Sequence, residues 1–167
     1  MSVYSLQLSG SDIIGWQSSS GVPAGNVEVT AEIVAQYRDA VVSLGAERRS
    51  DRPQWVNGSV VIPPDNRPLF RLTCNRAPDA QLGVPVLEAD GVDSVMVTLA
   101  KMLDADTVDE SFSGPLILST SSGRTWRFVF AGGVATKRFR TQVSGSFDVE
   151  SSPAFRLVAS FRLVAVE

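Results

Sequence analysis

From residue 114 onward, apolar and polar positions alternate with a period of two, the spacing of strands with one buried face. Residues 115–120 and 124–130 flank Ser121-Ser122-Gly123 and read as a hairpin, with Trp126, Phe128 and Phe130 on its inner face. Residues 136–150 place Lys137, Phe139, Thr141, Val143, Phe147 and Val149 on one side of a single long strand. Residues 155–166 repeat Phe-Arg-Leu-Val-Ala with an offset of six, which preserves the period. Phe155, Leu157, Ala159, Phe161, Leu163 and Ala165 then share one face of a last strand, and Arg156, Val158, Ser160, Arg162, Val164 and Val166 lie on the other. Half of that second face is apolar, so a second sheet or another subunit is expected to cover it.

The first half is less regular. Residues 3–8 read as a strand, and the run of turn formers at 18–26 makes residues 1–26 a loop-rich segment or arm ahead of a β-rich domain over 27–167. Residues 27–33 alternate, yet Ile33, Val34, Tyr37, Val41 and Leu44 repeat at helical spacing. Thr30 as N-cap and Gly45 as C-terminal stop favour a strand to Val29 followed by a helix of about four turns. Residues 47–53 form a charged linker, and Asn57-Gly58 suits a two-residue hairpin turn because both central positions of that turn need positive φ. Further strands are expected at 69–74 and, on β-branched content, at 93–99. Seven or more strands punctuated by Gly, Pro, Ser and Asn predict a mainly β fold, a single-domain antiparallel sandwich or barrel with one or two short helices.

Composition narrows the chemistry. The 167 residues include no histidine, which removes Ser-His-Asp and Cys-His activation, imidazole acid–base work and the usual zinc ligands together. Cys74 is the sole cysteine, so no intrachain disulfide forms, and its place in an alternating segment reads as a small buried hydrophobe. No Gly-rich phosphate motif opens a helix, and Lys101 and Lys137 lie in no Ser-x-x-Lys context. The acidic stretch 104–110 has Asp109 where a calcium loop needs glycine, and reads as a solvated loop. Trp16 and Trp55, in loop or turn contexts, are the candidates for a carbohydrate platform. The expectation is a protein with no catalytic, cofactor or metal site.

Charge is uneven. Residues 1–110 hold 8 basic and 15 acidic side chains, and residues 111–167 hold 7 and 3. That asymmetry suits a subunit that docks head to tail on copies of itself. Arg138 and Arg140 join Arg156, Val158, Arg162, Val164 and Val166 as the candidate subunit interface, facing an acidic surface from residues 79–110 of a neighbour. Nucleic acid is not expected, because Trp126, Phe128 and Phe130 should be core residues and the sequence pI is near 5.0. The first residues carry no basic leader and no stretch approaches about 20 apolar residues, so neither a signal peptide nor membrane insertion is expected.

The segments 114–118, 126–130, 139–149 and the paired Phe-Arg-Leu-Val-Ala repeats make a short β-rich chain without cofactor motifs, closed by long C-terminal strands. In this it resembles the small structural proteins of tailed-bacteriophage virions over roughly its last third. The resemblance implies a tail, baseplate or capsid-surface building block, made in the host cytoplasm and ending in the virion. Its partners would be copies of itself and other virion proteins. A carbohydrate- or receptor-binding β module is the alternative.

Overall fold

A computed structural model describes residues 2–120 and 123–167. The fold is mainly β, with fourteen strands and one helix among the described residues. Its contacts divide the chain into two compact units, residues 1–66 and 67–167, so the division falls at 66/67 where the sequence pattern placed one at 26/27.

The first unit is a five-stranded sheet in the order β3-β1-β2-β4-β5 with the helix α1 packed against β1 and β5. Its strands are β1 (Val3–Ser9), β2 (Asp12–Ser19), β3 (Asn26–Val29), β4 (Gln54–Val56) and β5 (Ser59–Val61), and α1 is Ala31–Leu44. Residues 1–26, expected to be a loop-rich arm, are mostly a β1–β2 hairpin turned at Gly10 (φ 62°). A β-bulge hid it. Register shifts after Gln7, so that Leu6 faces Trp16 and Leu8 faces Ile13 while Ile14 becomes the extra residue. Leu6 and Ile13 are thereby both fully buried, although no strict alternation joins Ile13 to Trp16.

The helix forms as its sequence predicts. Thr30 Oγ1 accepts the Ile33 N–H at 3.4 Å, the Gly45 N–H donates to Val42 at 3.1 Å, and Val34, Ala40 and Leu44 are the buried positions. Asn57 (φ 49°) and Gly58 (φ 83°) turn β4 into β5. Trp16, expected in a loop, lies in β2, and Trp55 lies in β4 beside the Asn57-Gly58 turn. The charged linker is held by Arg48, which pairs with Asp51 at 2.7 Å and donates to the Pro63 carbonyl at 2.7 Å.

The second unit builds three sheets around one core. Its strands are β6 (Leu69–Cys74), β7 (Val86–Glu88), β8 (Val95–Met102), β9 (Gly114–Ser119), β10 (Thr125–Phe130), β11 (Val134–Phe139), β12 (Gly145–Val149), β13 (Arg156–Leu157) and β14 (Phe161–Val166). They assemble as β11-β8-β6-β13, β12-β14-β7 and the ribbon β10-β9. The expected hairpin over 115–130 is present as β9 and β10, with Ser121 and Ser122 outside the described residues. Two segments read as single strands are each two: 136–150 is divided between β11 and β12, and 155–166 between β13 and β14. In both cases the chain leaves the four-stranded sheet and enters the three-stranded one, turning a corner of the sandwich. The pairing is not wholly antiparallel either, since β13 runs parallel to β6 and β7 parallel to β14.

All eight phenylalanines belong to this unit and lie in its core or packed on it. Phe70 meets Phe112, Phe130 and Phe155 with centroids 5.8–6.1 Å apart, and Trp126 meets Phe128, Phe139 and Phe161 at 5.1–6.4 Å. Truncating Phe70 or Trp126 to alanine should therefore destabilise the protein by about 3–5 kcal/mol, read from denaturant unfolding. Gly132 (φ 59°) and Gly133 (φ 75°) join β10 to β11. A Cβ on Gly133 would lie 2.3 Å from the Asp109 carbonyl oxygen, whereas one on Gly132 would meet nothing within 4 Å. Both alanine variants incur the left-handed backbone cost of about 1–2 kcal/mol, and Gly133→Ala should lower the melting temperature clearly more than Gly132→Ala.

Candidate functional site

The seven interface residues chosen from the sequence do not form one face. Arg156 and Val158 are at the β13 edge of the four-stranded sheet, where the Arg156 Nε donates to the Arg67 carbonyl at 3.3 Å and the Val158 N–H donates to Phe70. Arg138 is on β11 at the opposite edge of that sheet, with Arg140 just beyond. Arg162, Val164 and Val166 are on the outer face of β14, the middle strand of the other sheet. There Arg162 Nε is 2.6 Å from Asp148 Oδ1, directly across in β12, and Val164 is half-buried opposite Val86 and Ser146. The Arg162 charge is thus matched within its own sheet, and that residue is a weaker contributor to a basic interface than its sequence position implied.

The coherent feature is the hairpin of β10 and β11 with its partner β9. Between residues 111 and 147 the chain carries Arg124, Arg127, Lys137, Arg138 and Arg140 and no carboxylate. All five are exposed, and none takes part in an ion pair among the described residues. β10 and β11 are joined at the Ala131–Val134 bridge and then part, β10 pairing with β9 and β11 with β8, so Arg127 and Arg138 lie on two diverging strands. The hairpin splays past its turn, and Lys137 Nζ reaches over to the Arg127 carbonyl at 3.4 Å. Arg124 lies over the Phe147 ring at 5.1 Å.

Next to these cations the ribbon is apolar outside as well as inside. Ile117 faces Arg127 and Pro115 faces Val129, and Ile117 and Val129 are 60% and 66% exposed. Trp126, Phe128 and Phe130 point into the core, so the aromatics interleaved with these cations offer no stacking platform. The other side of β9 borders an open groove of about 270 Å³ floored by Phe70, Phe155 and Leu116 and rimmed by Ser119, Glu150 and Ser152.

The carboxylates have local work. Asp79, Asp90 and Asp104 each accept two backbone N–H groups two and three residues ahead at 2.7–2.9 Å, closing the loops they begin. Those bonds hold each carboxyl below the usual carboxylate range. Asp109 is lowered first by the Ser111 hydroxyl at 2.6 Å, with Lys101 Nζ 3.8 Å away. Arg76 grips Asp93 with two bonds of 2.6 Å and donates to the Val86 carbonyl at 2.7 Å, while Asp93 also accepts the Glu88 N–H at 2.8 Å. This cluster ties the end of β6 to β7 and the start of β8, and the Arg76 guanidinium holds the Asp93 carboxyl far below its ordinary value.

Among the described residues no group of three or more His, Cys, Asp or Glu side chains is placed to hold a metal ion. Cys74 is half-buried against the core with Sγ 3.4 Å from the Arg76 carbonyl, close to its expected role as a small hydrophobe. Arg76 and Cys74 also line an open cavity of about 630 Å³ with Ser160, Phe161 and Arg162, but both of its guanidinium groups already hold aspartates. No helix among the described residues is long and apolar enough to cross a membrane. Comparison with protein-family models, curated proteins and solved structures gives no match.

Six aspartates of the second unit, 79, 90, 93, 104, 109 and 148, have folded-state pKa values below ordinary ones. A depressed pKa contributes stability that is full above the unfolded value and is lost as pH falls through the folded one. Thermal melts should therefore be nearly flat from pH 7 to about pH 5 and drop below about pH 4. Asp93→Asn should lower the melting temperature at pH 7 and shallow that acid limb. An acid limb unchanged in Asp93→Asn would show that the Arg76 pair contributes little.

Proposed function

We propose that this protein is a non-enzymatic structural subunit that acts by self-association and by docking on neighbouring subunits of a larger assembly. A tailed-bacteriophage virion is the assembly its texture resembles. The observation that carries the reading is the outer face of the β9–β10 ribbon, where exposed Ile117 and Val129 flank Arg127 beside a run of unpaired cations. An apolar patch with arginine at its centre is the composition of a protein–protein contact. A basic surface unmatched within the fold attracts a partner of opposite charge. Sedimentation velocity of the purified chain across concentration is the direct measurement. A concentration-dependent oligomer that weakens as salt rises is expected, and a strict monomer at every concentration and salt would remove the reading.

One observation favours the alternative of a carbohydrate-binding module. Trp16, 40% exposed on β2, stands 6.3 Å from the Tyr4 ring on β1 and offers an open aromatic surface in the first unit. If sugars dock there, titration with oligosaccharides should change tryptophan fluorescence in the wild type and leave Trp16→Ala unaffected.

A further inference from the structure

We infer that the β10–β11 hairpin of one copy receives the acidic loop 103–110 of the next, a contact that rests on the self-association reading and gives it two named surfaces. The hairpin contributes Arg127 on β10 and Arg138 on β11, both exposed, with Ile117 and Val129 exposed beside Arg127. The loop is its chemical complement. Leu103 is 65% exposed at its start, followed by Asp104, Asp106 and Glu110, all exposed. Arg71 and Lys101 offset part of that charge, Arg71 reaching Asp106 at 3.5 Å and Lys101 reaching Asp109 at 3.8 Å, which leaves Asp104 and Glu110 in no ion pair among the described residues.

The loop is preformed for docking. The Leu103 N–H donates to Thr107 at 2.8 Å, Met102 bridges Val108, and the Asp104 carboxylate holds the N–H groups of Asp106 and Thr107. Little further ordering is required on binding. Each patch presents an exposed apolar side chain among charges of one sign.

Within one copy the two patches do not meet. The loop is fastened to the turn end of the hairpin, where the Gly133 N–H donates to Phe112 and the Gly133 carbonyl accepts from Lys101. Arg127 and Arg138 stand four residues up each strand from the bridging Ala131 and Val134, about 13 Å at strand rise. Among the described residues no ion pair joins Arg127 or Arg138 to the loop. Their natural counterpart is the other patch on a second molecule. Because the two patches differ, the contact is heterologous, and repeating it closes a ring or extends a filament.

The test uses the full chain and two charge-reversal variants, Arg127→Glu with Arg138→Glu and Asp106→Lys with Glu110→Lys, followed by sedimentation velocity at low salt. Each variant alone should associate at least about tenfold more weakly than wild type, and an equimolar mixture of the two should recover assembly, since each supplies the patch that complements the other. Circular dichroism and melting curves establish that the variants are folded, and Arg138→Gln, which only neutralises, should weaken association in the same direction if a reversal proves too disruptive. Wild-type assembly unchanged by either variant would overturn this contact and leave the self-association reading standing. A wild type that never associates would overturn both. Binding of a short DNA or RNA duplex that is lost in the arginine variant, with no effect of the loop variant on assembly, would overturn the contact by assigning the hairpin to a polyanion.

Discussion

The second unit depends on burying one large aromatic set from strands that are individually short. Eight phenylalanines and Trp126 are drawn from all three of its sheets and from the loop at Phe112. No flat sheet of these strands could bring Phe70, Phe130 and Phe155 together and also place Trp126 on both Phe139 and Phe161. The chain meets that demand by turning corners, so that β11 runs on into β12 and β13 into β14 while passing from one sheet to another. The parallel pairings follow from the same geometry, because a strand arriving around a corner takes whichever edge is open, as β13 does beside β6.

This explains which parts of the fold were legible in the sequence. Periodicity reports the face a residue presents within a strand: Phe147 and Val149 are buried, as are Phe155, Leu157, Phe161, Leu163 and Ala165, whereas Lys137 and, at the two bends, Val143 and Ala159 were expected on the same faces and are exposed. It does not report the hydrogen-bonding partner, so two broken strands read as continuous ones. Gly145 and the segment between Leu157 and Phe161 are too weak as punctuation to mark the corners. Local chemistry with a single stereochemical solution was legible, as at Thr30, Gly45 and Asn57-Gly58. The β1–β2 hairpin was not, because its bulge removes the alternation that would have announced it.

The interface was legible in part. A sequence count of charges located the basic excess, but it could not tell a matched charge from an unmatched one. Arg162 is answered by Asp148 one strand away, a pairing set by register alone. Arg127 and Arg138 come near the same end of the fold only because the Gly132-Gly133 turn joins β10 to β11, which a count of charges does not report. The acidic excess likewise divides in two. Asp79, Asp90 and Asp104 serve as loop closures, and a composition count treats them the same as the unpaired Glu110.

The corner between β13 and β14 also bears on how this chain tolerates changes in length. Leu157 and Phe161 are both buried and lie four positions apart, an even spacing carried through the exposed Val158, Ala159 and Ser160. Adding or losing two residues in that bend would alter its reach but keep Phe161, Leu163 and Ala165 turned toward the core. A change of one residue would turn β14 inside out and set Arg162 where Leu163 belongs. Length variation among copies of such a gene would therefore be expected at this bend in even steps, a parity rule imposed by a strand that bends around its core without changing its inner face.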